Sequence, residues 1–410
     1  MCIITISVKL SEIVNLIFSN SIFPECLKLG MIIPIFKQGS KTDIKNYRPI
    51  CILPVFSKIV EKCIYSRLIN FCSLNNLLSP SQFGFRSGLS TEKAMLRLIE
   101  FFYDALNNRE HSLAVFIDLR RAFDTVNISI LIQKLSKYGV RGSFLNLLQS
   151  YLRGRKQYVK INEKSSNAKT SVIGLPQGSV LGPLMFLIYV NDMPNISSLF
   201  TTLFADDTTL CLRDTSCESL VGSFNNELGI FSSWCSSNRL TINLDKTAYM
   251  LISNRTNSIQ QGPSLNNTAI TYVNSYKFLG VTFDNRLSFT NHIDHICNKV
   301  SKSIGILYKL KEYLPLQSMI SLYYSLIYPY FSYGVLVWGG TFESHLNRIV
   351  ILQKRALRIM NNTEYRSHTN ELFYENKILK IRDIYNFQLA VYMYSGSLNT
   401  TFERNHDHNT

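Results

Sequence analysis

Three aspartates carry the clearest chemistry in this sequence. Asp118 ends the apolar run Ala114-Val115-Phe116-Ile117, and Asp206 with Asp207 separates two β-rich runs at 199–204 and 208–212. A carboxylate at the end of a buried strand is costly without a counter-charge, so each of these positions asks for a cation. Two adjacent carboxylates in a chain of net charge +15 point the same way, towards a cation site rather than a solubilising patch. Hard oxygen ligands suit Mg²⁺. Two such ions about 3.5–4 Å apart can activate an attacking hydroxyl and stabilise a leaving oxygen, which is phosphoryl-transfer chemistry. An Asp-Asp pair also serves ordinary turns, so the pair alone does not decide.

Lysine and arginine number 43 against 28 aspartates and glutamates. That surplus favours polyanions, with nucleic acid as the default partner. A hydrophobic share of 46% and a charged share of 17% exclude a disordered chain. At 410 residues the chain exceeds what one core usually organises, so two or three packed subdomains are expected. Nine cysteines without a CxxC pair point to reduced thiols. His292, His295 and Cys297 share one predicted helix, lack a second ligand pair and read as structural. Residues 1–8 lack the pattern of a secretory signal, which implies an intracellular protein, nuclear or cytoplasmic.

The elements that must position the aspartates follow from periodicity. Residues 113–117 read as a buried strand. Residues 127–138 read as a helix with Ile128, Leu131, Leu135 and Tyr138 on one face and Gly139 as its stop. Residues 153–173 read as a basic two-stranded ribbon turning at 164–167, and 199–212 as a tight hairpin around Ala205, Asp206 and Asp207. Further strands are expected at 268–272 and 276–283, followed by helices. In the helix over 293–311, lysines including Lys299 and Lys302 accompany an apolar stripe. In that over 346–360, Arg348, Lys354, Arg355 and Arg358 share one arc. The uncharged stretch 313–342 is long enough to cross a bilayer, but Pro315, Pro329, Gly334 and its polar residues interrupt it. A buried helix followed by a strand-like segment is expected there, and no membrane partner.

Several blocks recur in a fixed order: Pro34-Ile35-Phe36-Lys37, Asn46-Tyr47-Arg48-Pro49-Ile50, Gln82-Phe83-Gly84-Phe85-Arg86 and Phe116-Ile117-Asp118-Leu119-Arg120-Arg121-Ala122-Phe123-Asp124. Gly174-Leu175-Pro176-Gln177-Gly178, Phe204-Ala205-Asp206-Asp207, Asn243-Leu244-Asp245-Lys246-Thr247 and Tyr276-Lys277-Phe278-Leu279-Gly280 complete the series. Together they resemble the reverse transcriptases of non-LTR retrotransposons, the jockey-like LINE elements, from about Phe23 to Phe283.

The resemblance implies an α+β right-hand polymerase. Fingers would occupy 1–112, a palm with a small antiparallel sheet 113–284 with the inserted ribbon near 153–173, and a helical thumb 285–342. A helical C-terminal region at 343–398 and a loose tail at 399–410 would follow. It implies an RNA-directed DNA polymerase taking an RNA template, a DNA primer and deoxynucleoside triphosphates, with two Mg²⁺ ions, or Mn²⁺, as cofactor. Asp118 and Asp206 would ligate both metals and Asp207 would support them. The segment from Leu119 to Asp124 would lie under the incoming nucleotide, with the Phe123 ring excluding a ribose 2′-hydroxyl; by residue type alone Phe123 is better suited to a core. Gln177 would meet the sugar. Arg48 and Lys37 would hold the triphosphate, with Lys41 an alternative to Lys37. Lys246 would protonate the departing pyrophosphate. Gly178, the hairpin residues Tyr276, Lys277 and Gly280, and the helix residues Lys299 and Lys302 would contact template and primer.

The chain starts almost directly in the fingers, so it is expected to be a truncated retrotransposon product lacking the family's upstream endonuclease domain. A catalytically silent RNA-binding remnant and a group II intron-type maturase are the alternative functions. The intact aspartates oppose the first, and the downstream blocks fit a retrotransposon better than the second.

Overall fold

The computed structural model describes residues 2–254 and 261–394, with side chains from Ile6 onward. The tail expected at 399–410 lies outside the described residues. The chain opens with α1 (Cys2–Asn20), β1 (Leu29–Phe36), β2 (Tyr47–Ile52), α2 (Val55–Leu74), α3 (Thr91–Asn107) and β3 (His111–Ile117). Next come α4 (Ile128–Lys137), α5 (Gly142–Leu152), β4 (Lys156–Ile161), β5 (Lys164–Ser165), β6 (Lys169–Thr170), α6 (Gly182–Val190), β7 (Phe200–Phe204), β8 (Asp207–Asp214) and α7 (Cys217–Ser237). The strands β9 (Ala248–Ile252), β10 (Ser264–Leu265), β11 (Thr268–Ala269), β12 (Thr271–Tyr272), β13 (Ser275–Phe278) and β14 (Val281–Asp284) follow. Helices α8 (Thr290–Leu310), α9 (Leu316–Leu326), α10 (Tyr328–Ser332), α11 (Val335–Trp338), α12 (Glu343–Met360), α13 (Asn370–Glu375) and α14 (Ile381–Tyr394) close the described chain.

Two compact units interleave along this order. The first holds the chain up to Ser90, then Leu113–Tyr249 and the stretch ending at Tyr272; the second holds Thr91–Ser112, a short segment from Met250, and the chain from Val273 onward. The division departs from the consecutive segments expected from sequence. α3 groups with the C-terminal helices, and so does the β13–β14 hairpin.

In the first unit one sheet has the order β12-β9-β3-β8-β7. Every residue of β3 is buried, as a central strand covered on both faces requires. A second sheet is built on β1, which pairs with β2 antiparallel and with β4 in parallel, while β5 and β6 both pair with β4. α4 starts where the Asn127 side chain accepts the Ile130 amide and ends before Gly139, whose φ is +95°.

The ribbon turns earlier than expected. Ile161 pairs with Lys164, so the turn is Asn162-Glu163, with Asn162 in the left-handed region at φ 53°. Asparagine tolerates that region better than the residues at 164–166 do. The 199–212 hairpin is also tighter than expected. Phe204 pairs with Asp207, which leaves Ala205 and Asp206 as a two-residue turn and places Asp207 on β8.

In the second unit Ile293, Ile296, Val300, Ile304 and Leu307 of α8 are buried, as are Leu346, Ile349, Ala356, Leu357 and Met360 of α12. The fully buried Gln353 ties three helices. Its Nε2 donates to the Tyr323 hydroxyl and the Leu379 carbonyl, each at 2.8 Å, and its Oε1 accepts the Ile381 amide at 3.1 Å. The strand-like segment expected within 313–342 is absent: α9, α10 and α11 make it helical. Met319, Tyr323, Ile327, Phe331 and Val335 are buried at steps of four, a helical stripe, and Pro329 and Gly334 only divide it. Among the described residues no helix is long and apolar enough to cross a membrane.

His292 of α8 is 4% exposed, sits edge-on to Trp338 and accepts the Thr282 amide at Nδ1, while Nε2 finds no partner. Burial first, then the charges of His295 and Lys277, pushes its pKa down to about 4. The unfolded chain therefore takes up the proton first as pH falls below about 6.5, and stability drops from there to about pH 4. The expected loss is on the order of 3 kcal/mol over that window. Urea midpoints at pH 7 and pH 5 should separate clearly for the parent chain and less for His292→Gln; equal separations would show that His292 does not set the slope.

Candidate active site

The three aspartates lie in the first unit on neighbouring strands. Asp118 follows β3, and Asp206 and Asp207 sit at the β7–β8 turn. Their carboxylates are within electrostatic reach of each other. The Asp206 pKa is raised by burial first and then by Asp118, against the pull of Arg48 and Lys37. Asp207 is exposed as a residue, yet its carboxyl is pushed up to about 6 by loss of water, then by Asp206 and Asp118, with Lys37 opposing. Carboxylates that raise one another's pKa are short of positive charge. Among the described residues no three His, Cys, Asp or Glu side chains form a metal-holding group by themselves.

Lys37 and Arg48 belong to the β1–β2 hairpin. Ile35 pairs with Arg48, and the Lys37 amide donates to the Asn46 carbonyl, so Lys37 and Arg48 leave one face of the hairpin. Both act on Asp206. Lys41 instead lies 5.9 Å from the centre of the Phe36 ring, on the other face, so the geometry favours Lys37 over Lys41.

Asp118 is held by a residue that had no role in the sequence reading. Asn243 is 9% exposed; its Nδ2 donates to Asp118 Oδ2 at 2.7 Å, and its amide donates to the Asp118 carbonyl at 2.8 Å. Arg120 Nε donates to Asn243 Oδ1 at 3.2 Å, and Arg120 Nη2 pairs with Asp245 at 3.0 Å. The Arg120–Asp245 pair is exposed, so its value is orientation more than energy. The motif spacing Asn243-Leu244-Asp245-Lys246 carried the signal. Lys246 Nζ lies 3.9 Å from Asp118 Oδ2.

The nucleotide-side residues divide. Phe123 is half-buried, stacked on Phe186 at 4.4 Å and edge-on to Phe85 at 6.4 Å, so its ring is anchored from below without being sealed in the core. Leu119 is 5% exposed, and its backbone bridges to Ile242. Gln177 Nε2 donates to Asp124 Oδ1 at 2.8 Å, and the Gln177 carbonyl accepts the Cys51 amide at 2.7 Å. Gly178 has φ +121°, and a Cβ there would come 2.5 Å from the Cys51 carbonyl oxygen. The backbone of β2 thus makes a close approach that demands glycine at 178. Behind this loop the fully buried Glu61 accepts the amides of Val180 at 2.7 Å and Leu181 at 3.3 Å. A lone glutamate within α2 offered no sequence signal for that role.

Tyr276, Lys277 and Gly280 form the β13–β14 hairpin of the second unit, where the Tyr333 hydroxyl donates to the Leu279 carbonyl at 2.6 Å. Lys299 and Lys302 are exposed on α8. The basic arc of α12 is partly consumed internally: Arg348 pairs with Asp294 at 2.6 Å and Arg358 Nε donates to the Ser367 carbonyl at 2.9 Å.

The pattern of reverse transcriptases (RNA-dependent DNA polymerases) matches residues 36–283. The RNA-directed DNA polymerase from mobile element jockey of Drosophila melanogaster is 31% identical over 386 residues, covering 91% of this chain and 42% of that protein. The probable RNA-directed DNA polymerase from transposon BS of the same organism is 30% identical, covering 87% of this chain and 41% of that protein. The chain thus spans about two fifths of the length of these curated relatives. Among solved structures, telomerase from Candida albicans in complex with a fragment of telomeric RNA superposes with a TM-score of 0.52 at 12% identity, covering 86% of this chain and 66% of that one. At that identity the likeness speaks for the fold alone, a reverse-transcriptase fold of mixed helix and sheet.

Gly84 packs on the turn that carries Asp206: a Cβ there would overlap the Ala205 amide nitrogen and lie 3.1 Å from the Ala205 Cα, backbone atoms that cannot rotate away. Gly84→Ala is therefore expected to cost about 1–3 kcal/mol. Gly222, exposed within α7 with nothing near its virtual Cβ, should gain roughly 0.5–1 kcal/mol as alanine. Opposite shifts in thermal midpoint check the pair; a neutral Gly84→Ala would mean the hairpin is not held this closely.

Proposed function

Because the chain belongs to the reverse transcriptase (RNA-dependent DNA polymerase) family, we propose that it extends a DNA 3′-hydroxyl on an RNA template. The supporting observation is the meeting of Asp118 with Asp206 and Asp207, whose carboxyls its charge helps to raise, faced by Lys37 and Arg48 from one hairpin.

The donor set fits a hard divalent cation, Mg²⁺ with Mn²⁺ as an alternative. It supplies carboxylate oxygens that lack compensating charge, and Mg²⁺ commonly takes one or two carboxylates and completes its shell with substrate phosphates and water. That also accounts for the lack of a closed protein cage among the described residues. When bound, such ions make the 3′-hydroxyl a better nucleophile and stabilise the leaving oxygen.

The chain's own residues do the rest. Asn243 occupies the Oδ2 oxygen of Asp118. Arg48 offers a fork, and Lys37 a point charge, to the triphosphate. Lys246, near Asp118, is placed to give a proton to the departing pyrophosphate. Phe123 lies under the sugar, where a ring excludes a 2′-hydroxyl by volume, and the Pro176-Gln177-Gly178 turn meets the nucleotide from the side. In this reading the first unit supplies fingers and palm. The second supplies a thumb whose Lys299 and Lys302, with the hairpin of Tyr276, Lys277 and Gly280, follow template and primer.

Primer extension on poly(A) RNA with an oligo(dT) primer and Mg²⁺ tests the activity. Asp206→Asn is expected to lower the extension rate by at least about 100-fold while template-primer affinity stays within about twofold, because charge at the reacting centre is lost and phosphate contact is not. Substantial extension by folded Asp206→Asn would sink the assignment.

Phe123→Ala should raise ribonucleotide incorporation relative to deoxynucleotide. If Phe123 served only packing against Phe186, the variant would lose stability with the sugar ratio unchanged. Comparing the ratio at equal folded fraction separates the two.

A further inference from the structure

The turn that presents Asp206 is built on a conformation its residue does not favour. Ala205 has φ +56°, in the left-handed region that a side chain with a Cβ adopts only at a cost. Something must hold it there. Residues 81–83 run parallel to β7: the Leu203 amide donates to the Ser81 carbonyl at 2.9 Å, and the Phe83 amide to the Leu203 carbonyl at 2.8 Å. This places the Gln82 side chain, 2% exposed, directly at the turn. Its Oε1 accepts the Ala205 amide at 3.0 Å and the Gly84 amide at 2.8 Å, and its Nε2 donates to the Ala205 carbonyl at 3.4 Å. One buried amide therefore serves both backbone groups of the strained residue. The segment is anchored further on, where Arg86 Nη1 donates to the Ser79 carbonyl at 2.6 Å.

We propose that Gln82 is a positioning residue for nucleotidyl transfer, fixing the left-handed turn at Ala205 and with it the direction in which Asp206 leaves the hairpin; this rests on the polymerase reading above. No near-isostere does the same work. Glutamate keeps the acceptor, loses the donor and adds a negative charge beside two carboxylates already short of positive charge. Leucine leaves the Ala205 and Gly84 amides without a partner in a dry place. Glycine at position 205 is the complementary change, since it adopts φ +56° without penalty and needs the clamp less.

The experiment compares the 410-residue chain with Gln82→Leu, Gln82→Glu, Ala205→Gly and the double variant Gln82→Leu/Ala205→Gly. Hydrogen exchange at the hairpin amides and single-turnover extension on the RNA–DNA template-primer are both measured. In Gln82→Leu the Ala205 amide is expected to exchange at least about tenfold faster, the loss of one buried hydrogen bond, whereas Gln82→Glu keeps the acceptor for that amide and should exchange close to the parent chain. The extension rate should fall on the order of 100-fold, the scale of an ångström misplacement, with template-primer affinity within about twofold. The double variant should recover part of the rate lost by Gln82→Leu. A residue serving stability alone would lower affinity and rate together and would not be relieved by glycine at 205. Wild-type exchange at the hairpin in Gln82→Leu overturns the proposal, whatever extension shows. No extension by the parent chain overturns the polymerase reading, and faster exchange in Gln82→Leu would then still assign the turn to Gln82.

Discussion

Like charges that must be kept together set the terms for the rest of the first unit. Asp118 adds to the cost of ionising Asp206, and both add to that of Asp207, while among the described residues the side chain of opposite sign at bonding distance is Lys246, 3.9 Å from Asp118. Left to themselves such groups separate or take up protons. The protein opposes this with neutral hydrogen bonds to the backbone that carries the acids: Asn243 grips Asp118 by side chain and main chain, and Gln82 grips the turn before Asp206. Neutral amides hold geometry without supplying charge, so the deficit of positive charge is preserved for whatever cation and substrate arrive.

The same logic extends to the loop after Gly174. Glu61 is fully buried, and its oxygens accept the Val180 and Leu181 amides ahead of α6 and the Ser57 hydroxyl. Gln177 is tied to Asp124 on one side and to β2 on the other. A loop fixed from behind at both ends can present its outer face without ordering on binding, which lowers the entropy cost of taking a ligand.

How far the site was legible depended on whether the signal was local. Asp118 stood out because apolar β-formers ran straight into a carboxylate, and Asp206-Asp207 because they separated two strands. Helix α4 was readable from its apolar face and Gly139 stop, and α8 and α12 from their periods. Gln82 and Glu61 could not be read in this way. Their partners are more than 100 positions away, at Ala205, Val180 and Leu181, and nothing in a buried glutamine or a helical glutamate announces a backbone partner. The segment at 313–342 failed for a different reason. Its tyrosines, valines and phenylalanines suit a strand by propensity, but burial at every fourth residue makes it helical, and packing outweighs propensity. The grouping of α3 with the C-terminal helices was equally invisible, because it is a property of long-range packing and not of any stretch of residues.

The basic residues of the second unit sort by chemistry. Three arginines there have fixed partners: Arg348 with Asp294, Arg358 with the Ser367 carbonyl and Arg382 with Glu343. A planar fork suits an internal geometry that must not shift. Lys299 and Lys302 stand exposed on α8, each a compact charge on a flexible stem. A surface that follows a phosphate backbone through successive steps needs charges that can let go and re-form, and contacts of that kind position a duplex without reading its bases. Lysine on an exposed helical face meets that need, whereas an arginine locked into the helix packing does not. Arg348 and Arg358 of α12 therefore serve the packing of the second unit, while Lys299 and Lys302 of α8 keep their charges at its surface.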